Sequence, residues 1–359
     1  MKRFFPSLFQ ALLAVVALVG CDVHQWPEPH EAVEPVLPDM PKVTMPLRLV
    51  YEPDFYVWEH KYDPVQGKVE ETAPSLDVFP DYPGTSSKYP QLVPSGLVQV
   101  HVKVFPTSNP SLCVAEQAFT YEVGDSYDTD LELEFQGTDT YDVVVWSQLL
   151  EDAEMPPFYN PSNFSKIHII DENYRGNTNY RDAFRGALRV NATTGTGIRH
   201  VVHMRRPMGK FELLTTDLSE FLDRETVVRN LPTRASAEDY RVLISFPMYY
   251  PNSYSAKDDR RENAIGGVAF ETRMTVTGYS EASLGFEYVM LENSPDGGVQ
   301  ARVDVYRFDG TRVAGSSTFT VPMRRDHHTV LRGAFLSMEG SGGVGIDPGF
   351  NGDHNITWH

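Results

Sequence analysis

The sequence predicts an all-β protein, two antiparallel β-sandwiches in tandem with few short helices, and three observations carry that expectation. Apolar and polar residues alternate with a period of two in short runs along most of the chain. Turn residues recur between those runs, and strands never alternate with helices as a βαβ chain would require. The 359 residues are enough for two domains at roughly 150 residues each. The expected division is a leader at 1–20, a lipidated stalk at 21–43, a first sandwich at 44–204 and a second at 205–359.

The N-terminus has the form of an export signal. Lys2 and Arg3 precede an apolar run at 8–19, and Leu18-Val19-Gly20-Cys21 closes it with a small residue before a cysteine, as a lipobox does. That run is shorter than the roughly 20 apolar residues a membrane span needs, so cleavage is expected rather than a permanent helix. Cleavage before Cys21 leaves its thiol to carry diacylglycerol and its amine to be acylated. Each buried acyl methylene contributes about 0.8 kcal/mol, and two or three chains hold a protein to one leaflet. The following stretch is rich in proline and acid (Trp26-Pro27-Glu28-Pro29, Glu34-Pro35, Leu37-Pro38). It reads as an extended stalk with too little apolar content to pack.

The first strand is expected from Thr44, where Leu47, Leu49 and Tyr51 alternate with Arg48 and Val50 until Pro53. A loop-rich interval follows, carrying Pro74, Pro80, Pro83, Gly84 and Pro90. Val98, Val100, Val102 and Val104 then share one face, with Gln99, His101 and Lys103 on the other. Leu131, Leu133 and Phe135 repeat the pattern against Glu132 and Glu134, whereas 141–146 is apolar except for Asp142 and suits a strand buried on both faces. One short turn is expected within 180–188, ending near Gly186. Arg205-Arg206-Pro207 interrupts the apolar pattern, which places a domain boundary near Met204 to Pro207, with new strands from Lys210.

Asp217-Leu218-Ser219-Glu220 has capping-box spacing, predicting a short helix or single turn at 217–222. Strand signals recur at Val242, Ile244 and Phe246, at Val268 and Phe270, at Met274 and Val276, and across 284–291. Two hairpin turns are expected, at Pro295-Asp296-Gly297-Gly298 and at Asp309-Gly310.

Charge and cysteine content narrow the function. The chain has 31 basic and 49 acidic residues, and removing the leader leaves 29 basic against 49 acidic, a net charge of −20. Nucleic acid is not expected as a partner, because phosphate binding needs a basic footprint. With Cys21 lipidated, Cys113 is the one remaining thiol, so neither an intramolecular disulfide nor a cysteine metal site is expected. No nucleophile elbow, zincin motif, Walker loop or dinucleotide fingerprint occurs. No catalysis, cofactor or metal is therefore expected.

Asp326-His327-His328 lacks a third ligand at a known spacing and reads as an exposed strand end or turn. Asp347-Pro348-Gly349-Phe350-Asn351-Gly352-Asp353 lacks the bidentate Glu of a calcium loop and reads as a glycine-rich turn. Tyr249, Tyr250 and Tyr254 are the candidate ligand-contact aromatics, of the kind that stack on sugars or peptides, with burial in a sandwich core as the alternative.

Several segments resemble the fimbrillin-like cell-surface lipoproteins of gut Bacteroidota, relatives of pilus subunits and anchors. They are Cys21-Asp22-Val23-His24-Gln25-Trp26-Pro27, Asn179-Tyr180-Arg181-Asp182-Ala183-Phe184-Arg185-Gly186, Arg206-Pro207-Met208-Gly209-Lys210-Phe211-Glu212 running into Thr216-Asp217-Leu218, and 321–333 with the tail Ile346-Asp347-Pro348-Gly349-Phe350. More closely, the chain is similar to the DUF6562 subset. The resemblance implies two sandwiches of transthyretin- or immunoglobulin-like type and a non-catalytic role in fimbriae or attachment. It also implies an outer-membrane, surface-exposed location held by the N-terminal lipid, and other fimbrial subunits as partners through strand exchange. In such systems an arginine-directed protease trims subunits near the first strand, whereas anchors stay lipidated. Arg48 is the only arginine between Cys21 and Arg175, which makes it the candidate processing site. The competing expectation is a glycan- or peptide-binding lipoprotein of a nutrient uptake system.

Overall fold

The structure of the protein, a computed structural model, describes residues 40–53, 55–72, 96–124, 126–169, 174–292 and 297–337. The first part of the chain supplies β1 (Lys42–Tyr51), β2 (Tyr56–Asp63), β3 (Lys68–Glu71), β4 (Leu97–Pro106), β5 (Ala115–Glu122), β6 (Thr129–Gln136) and β7 (Thr140–Leu150). The short β8 (Tyr159–Asn160) and β9 (Ile167–Ile169) follow, then β10 (Ala183–Asn191) and β11 (His200–Met204). β1 is the middle strand of a three-stranded sheet, antiparallel to β6 and parallel to β11. A four-stranded antiparallel sheet runs β10-β7-β4-β5.

The two sheets share one core because their period-two patterns turn apolar side chains toward each other. Val98, Val100, Val102 and Val104 of β4 pack there with Val43, Met45, Leu47 and Leu49 of β1 and Phe135 of β6. β7 explains its unbroken apolar run by serving two cores. Val143 and Val145 enter this one, while Val144 and Trp146 enter a second cluster with Phe55, Tyr159, Met208, Tyr254 and Tyr288.

Later residues supply β12 (Met208–Thr215), β13 (Tyr240–Phe246), β14 (Tyr250–Pro251), β15 (Ser253–Ser255), β16 (Arg260–Arg261), β17 (Ala264–Ile265) and β18 (Val268–Thr272). They are followed by β19 (Thr275–Val276), β20 (Ala282–Met290), β21 (Gly297–Arg307), β22 (Arg312–Gly315), β23 (Phe319–Met323) and β24 (His327–Gly333). A six-stranded sheet runs β19-β20-β12-β24-β2-β3, and another runs β18-β13-β21-β22 with β23 also paired to β21. Phe211 and Leu213 from the first pack with Val242, Ile244, Phe246, Val303 and Val305 from the second in a third core. The described residues are thus all-β in a sandwich-like, sheet-on-sheet arrangement, with little helix.

Five details depart from the sequence reading. β2 and β3 occupy residues expected to be loop, and β2 lies parallel to β24, so two early strands complete a sheet otherwise formed after residue 207. Alternation fixes which face of a strand is buried, but not which strand it joins. The helix is longer than one turn: Leu218–Val228 has 11 residues and buries Leu218, Phe221 and Leu222. Asp217 makes no side-chain cap on it and instead accepts from the Thr215 hydroxyl at 2.5 Å and the Leu336 amide at 3.1 Å.

Of the hairpin turn expected at 295–298, Pro295 and Asp296 lie outside the described residues and Gly297 and Gly298 belong to β21, and the flanking strands do not pair as a hairpin, because β20 belongs to the six-stranded sheet and β21 to the facing one. Proline and glycine mark a reversal without showing whether the chain returns within a sheet or crosses to another. The expected hairpin at Asp309-Gly310 does form between β21 and β22, with Gly310 at φ 88°. The turn expected within 180–188 is a 3₁₀ turn at Asn179–Arg181, capped by Thr178, and β10 runs straight on through Gly186.

Candidate functional site

β1 sits in a slot that matches its sequence residue by residue. Val43, Met45, Leu47, Leu49 and Tyr51 are each no more than 6 % exposed, while the residues between them face outward. Burying an apolar side chain of this size contributes about 1.5–3 kcal/mol. The backbone is paired on both sides, from Lys42↔Gln136 to Leu49↔Thr129 with β6 and from Leu47↔His200 to Tyr51↔Met204 with β11. Removing β1 would therefore open a groove with two unpaired strand edges over an apolar floor.

Arg48 lies in the middle of this strand, opposite Asp130 on β6 and Val201 on β11. Its guanidinium reaches Asp130 at 3.1 Å and Asp128 at 3.2 Å on the solvent side. The strand is followed by Glu52, whose carboxylate pairs with Arg205 at 2.8 Å and His203 at 3.1 Å and is held below the usual carboxylate range chiefly by the Arg205 hydrogen bond. Cys21 lies outside the described residues, as do the Asp347 to Asp353 turn and the C-terminal tail.

A concentration of charged groups is buried between the sheets. Two of the segments on which the family resemblance rests, Asn179 to Gly186 and Arg206 to Glu212, meet there. Arg206 pairs with Asp182 at 2.7 Å and Arg181 with Glu287 at 2.9 Å, all four side chains being fully buried. The Arg206 guanidinium also covers the Phe55 ring at 3.8 Å. Burial pushes the Asp182 carboxyl up, against the pull of Arg206.

Lys210, also buried, donates to Asn179 Oδ1 at 3.1 Å and stands over the Phe286 ring at 4.0 Å. Its neighbour Gly209 has no room for a side chain, since a Cβ would come within 2.3 Å of the Arg324 carbonyl oxygen. In the sequence these residues stand out only within the segments that carry the family resemblance, with Arg206 read as an interruption of the apolar pattern. The sequence could not show which charges pair.

The three candidate aromatics separate. Tyr249 is 75 % exposed, whereas Tyr250 and Tyr254 are fully buried. The Tyr250 hydroxyl donates to the Tyr288 carbonyl at 2.9 Å, and the Tyr254 hydroxyl donates to Asp259 and accepts from Arg325 at 2.9 Å. The three rings therefore build no shared stacking platform. Of the paired histidines, His328 is buried beside Glu212 at 3.3 Å and His327 contacts the Arg325 carbonyl at 2.6 Å. His328 thus departs from the exposed turn expected for the pair, and among the described residues no group of three His, Cys, Asp or Glu side chains is placed to hold a metal.

The described sheets and cores define an all-β protein. The family model described as a family of unknown function (DUF6562) matches residues 95–359, and the chain belongs to that family. No curated protein matches it significantly. Among solved structures, the fimbrial anchor protein Mfa2 from Porphyromonas gingivalis is similar at 10 % identity, with 76 % of this chain and 82 % of that one covered and a TM-score of 0.35. A fimbrial assembly protein from Parabacteroides distasonis is similar at 11 % identity, with 84 % and 94 % covered and a TM-score of 0.39.

Proposed function

We propose that the protein is a non-catalytic lipoprotein of the outer-membrane surface that works in a fimbria or in attachment, as a subunit, anchor or accessory component, and joins its partners by exchanging β1. The observation that carries this reading is the slot of β1. A strand directly after the proline-rich stalk fills an apolar groove and is hydrogen-bonded on both sides. Loss of such a strand leaves a template for another chain's strand, and the adjoining linker adds little loop entropy to the exchange. The glycan- or peptide-binding alternative is left with Tyr249 alone of its three aromatics.

Two measurements test the reading. Labelled palmitate is expected to enter the wild type and not Cys21→Ala; equal labelling of both removes the lipid anchor. An arginine-specific protease that cuts after Arg48 is expected to convert monomer into ladders that survive SDS, and Arg48→Ala should block this. Because Arg48 is enclosed on both sides, cutting should require conditions that loosen β1. A cut protein that stays monomeric, or only unfolds, refutes exchange and leaves a tethered accessory component.

A further inference from the structure

Lys210, Asn179 and Tyr288 are brought together by three different elements. Lys210 is on β12, Tyr288 is its antiparallel partner on β20, and Asn179 opens the 3₁₀ turn ahead of β10. The Asn179 Oδ1 atom accepts from Lys210 Nζ at 3.1 Å and from the Tyr288 hydroxyl at 2.9 Å. Two donors on one carboxamide oxygen draw electron density from its carbon and make it electrophilic. We propose that Lys210 and Asn179 join in an intramolecular isopeptide bond, formed by the folded protein on itself with release of ammonia.

The chemistry balances without any co-reactant. The neutral Lys210 amine adds its lone pair to Asn179 Cγ, and the Tyr288 hydroxyl holds the oxygen that becomes negative. The proton shed by the attacking nitrogen passes to the amide nitrogen, the Cγ–Nδ2 bond breaks, and ammonia leaves. Neither partner is oxidised or reduced. Glu212 and Asp182 are the carboxylates whose charges act on Lys210.

The surroundings favour the amine over the ammonium. Lys210 is 2 % exposed, and burial brings its pKa down to about 8 against the pull of Glu212 and Asp182. The Phe286 ring at 4.0 Å and the Tyr288 ring at 5.4 Å close the site with apolar surface. A nucleophile and an amide held in one place by rigid elements react as if at very high concentration. The bond would tie the turn leading into β10, in the four-stranded sheet, to β12 in the six-stranded one. It goes beyond the proposed attachment role and does not depend on β1.

Peptide mapping of the purified full-length protein, denatured and then digested with trypsin, decides the matter. The expected species joins peptide 176–181 to peptide 206–224 with Lys210 uncleaved, lighter by one ammonia than the sum of the two. Lys210→Met and Asn179→Ala should each abolish it. Tyr288→Phe should slow its appearance in pulse-labelled protein by roughly 100-fold, the usual loss for one oxyanion donor. Stoichiometric recovery of the unlinked peptides 176–181 and 206–210 from the wild type overturns the proposal.

Discussion

Replacing Arg206 by methionine is expected to lower the unfolding free energy by about 3–5 kcal/mol, the usual result of leaving one partner of a buried ion pair behind. Arg206 and Asp182 are both fully buried, with Nε at 2.8 Å and Nη2 at 2.7 Å from the carboxylate, so the abandoned Asp182 has no water to turn to. The guanidinium also fills the space between Phe55 and Phe184. Urea denaturation of Arg206→Met and of the double variant with Asp182→Leu separates the two contributions. The double variant should recover most of the loss, because an apolar pair needs no charge balance. A single variant within about 1 kcal/mol of wild type would show that the pair is not desolvated in solution.

Trp146→Ala is expected to cost about 3–5 kcal/mol, as deletion of a large core aromatic does. Its side chain is fully buried, packs edge-on to Tyr159 at 5.7 Å between ring centres, and lies 6.1 Å from Tyr254. The indole nitrogen donates to Gln148 at 3.3 Å, so the truncation also strips a partner from a buried amide. Chemical denaturation followed by tyrosine fluorescence measures the loss, and Trp146→Phe should recover more than half of it. No change for Trp146→Ala would mean that the cluster between the sheets is loosely packed.

The readable parts of this molecule are those in which a local pattern has a single physical outcome. The four valines of β4 alternate with polar residues, and a pleated strand can bury them only together. Asp309-Gly310 forms its hairpin because glycine accepts the positive φ there. Patterns with two outcomes were resolved only by the fold. Tyr250 and Tyr254 had the composition of a ligand platform and became core, because the residues around them fold inward as β14 and β15. Asp217 had the spacing of a helix cap, but its carboxylate is taken by the Leu336 amide, 119 residues away.

β2 escaped notice for the same reason, since its neighbour β24 lies beyond any local signal. Of the candidate site, the slot of β1 was legible in its alternation. The buried charges were legible only as residue types, because pairing between Arg206 and Asp182 is a property of the folded contact and not of spacing.

The pairing of β2 with β24 also sets an order of events at synthesis. Tyr56 through Tyr62 lie beside His327 through Gly333, far apart in the sequence. If the leader directs export, the chain emerges N-terminus first, and β2 reaches the far side of the membrane long before its neighbour exists. The six-stranded sheet cannot close until β24 is present as well, and contacts of such large sequence separation form slowly. β3 follows at once and can pair with one edge of β2, but the edge that β24 covers stands open during that interval, a state prone to pairing with the wrong chain. A chain cut before residue 327 lacks β24 and leaves β2 without its parallel neighbour in the six-stranded sheet.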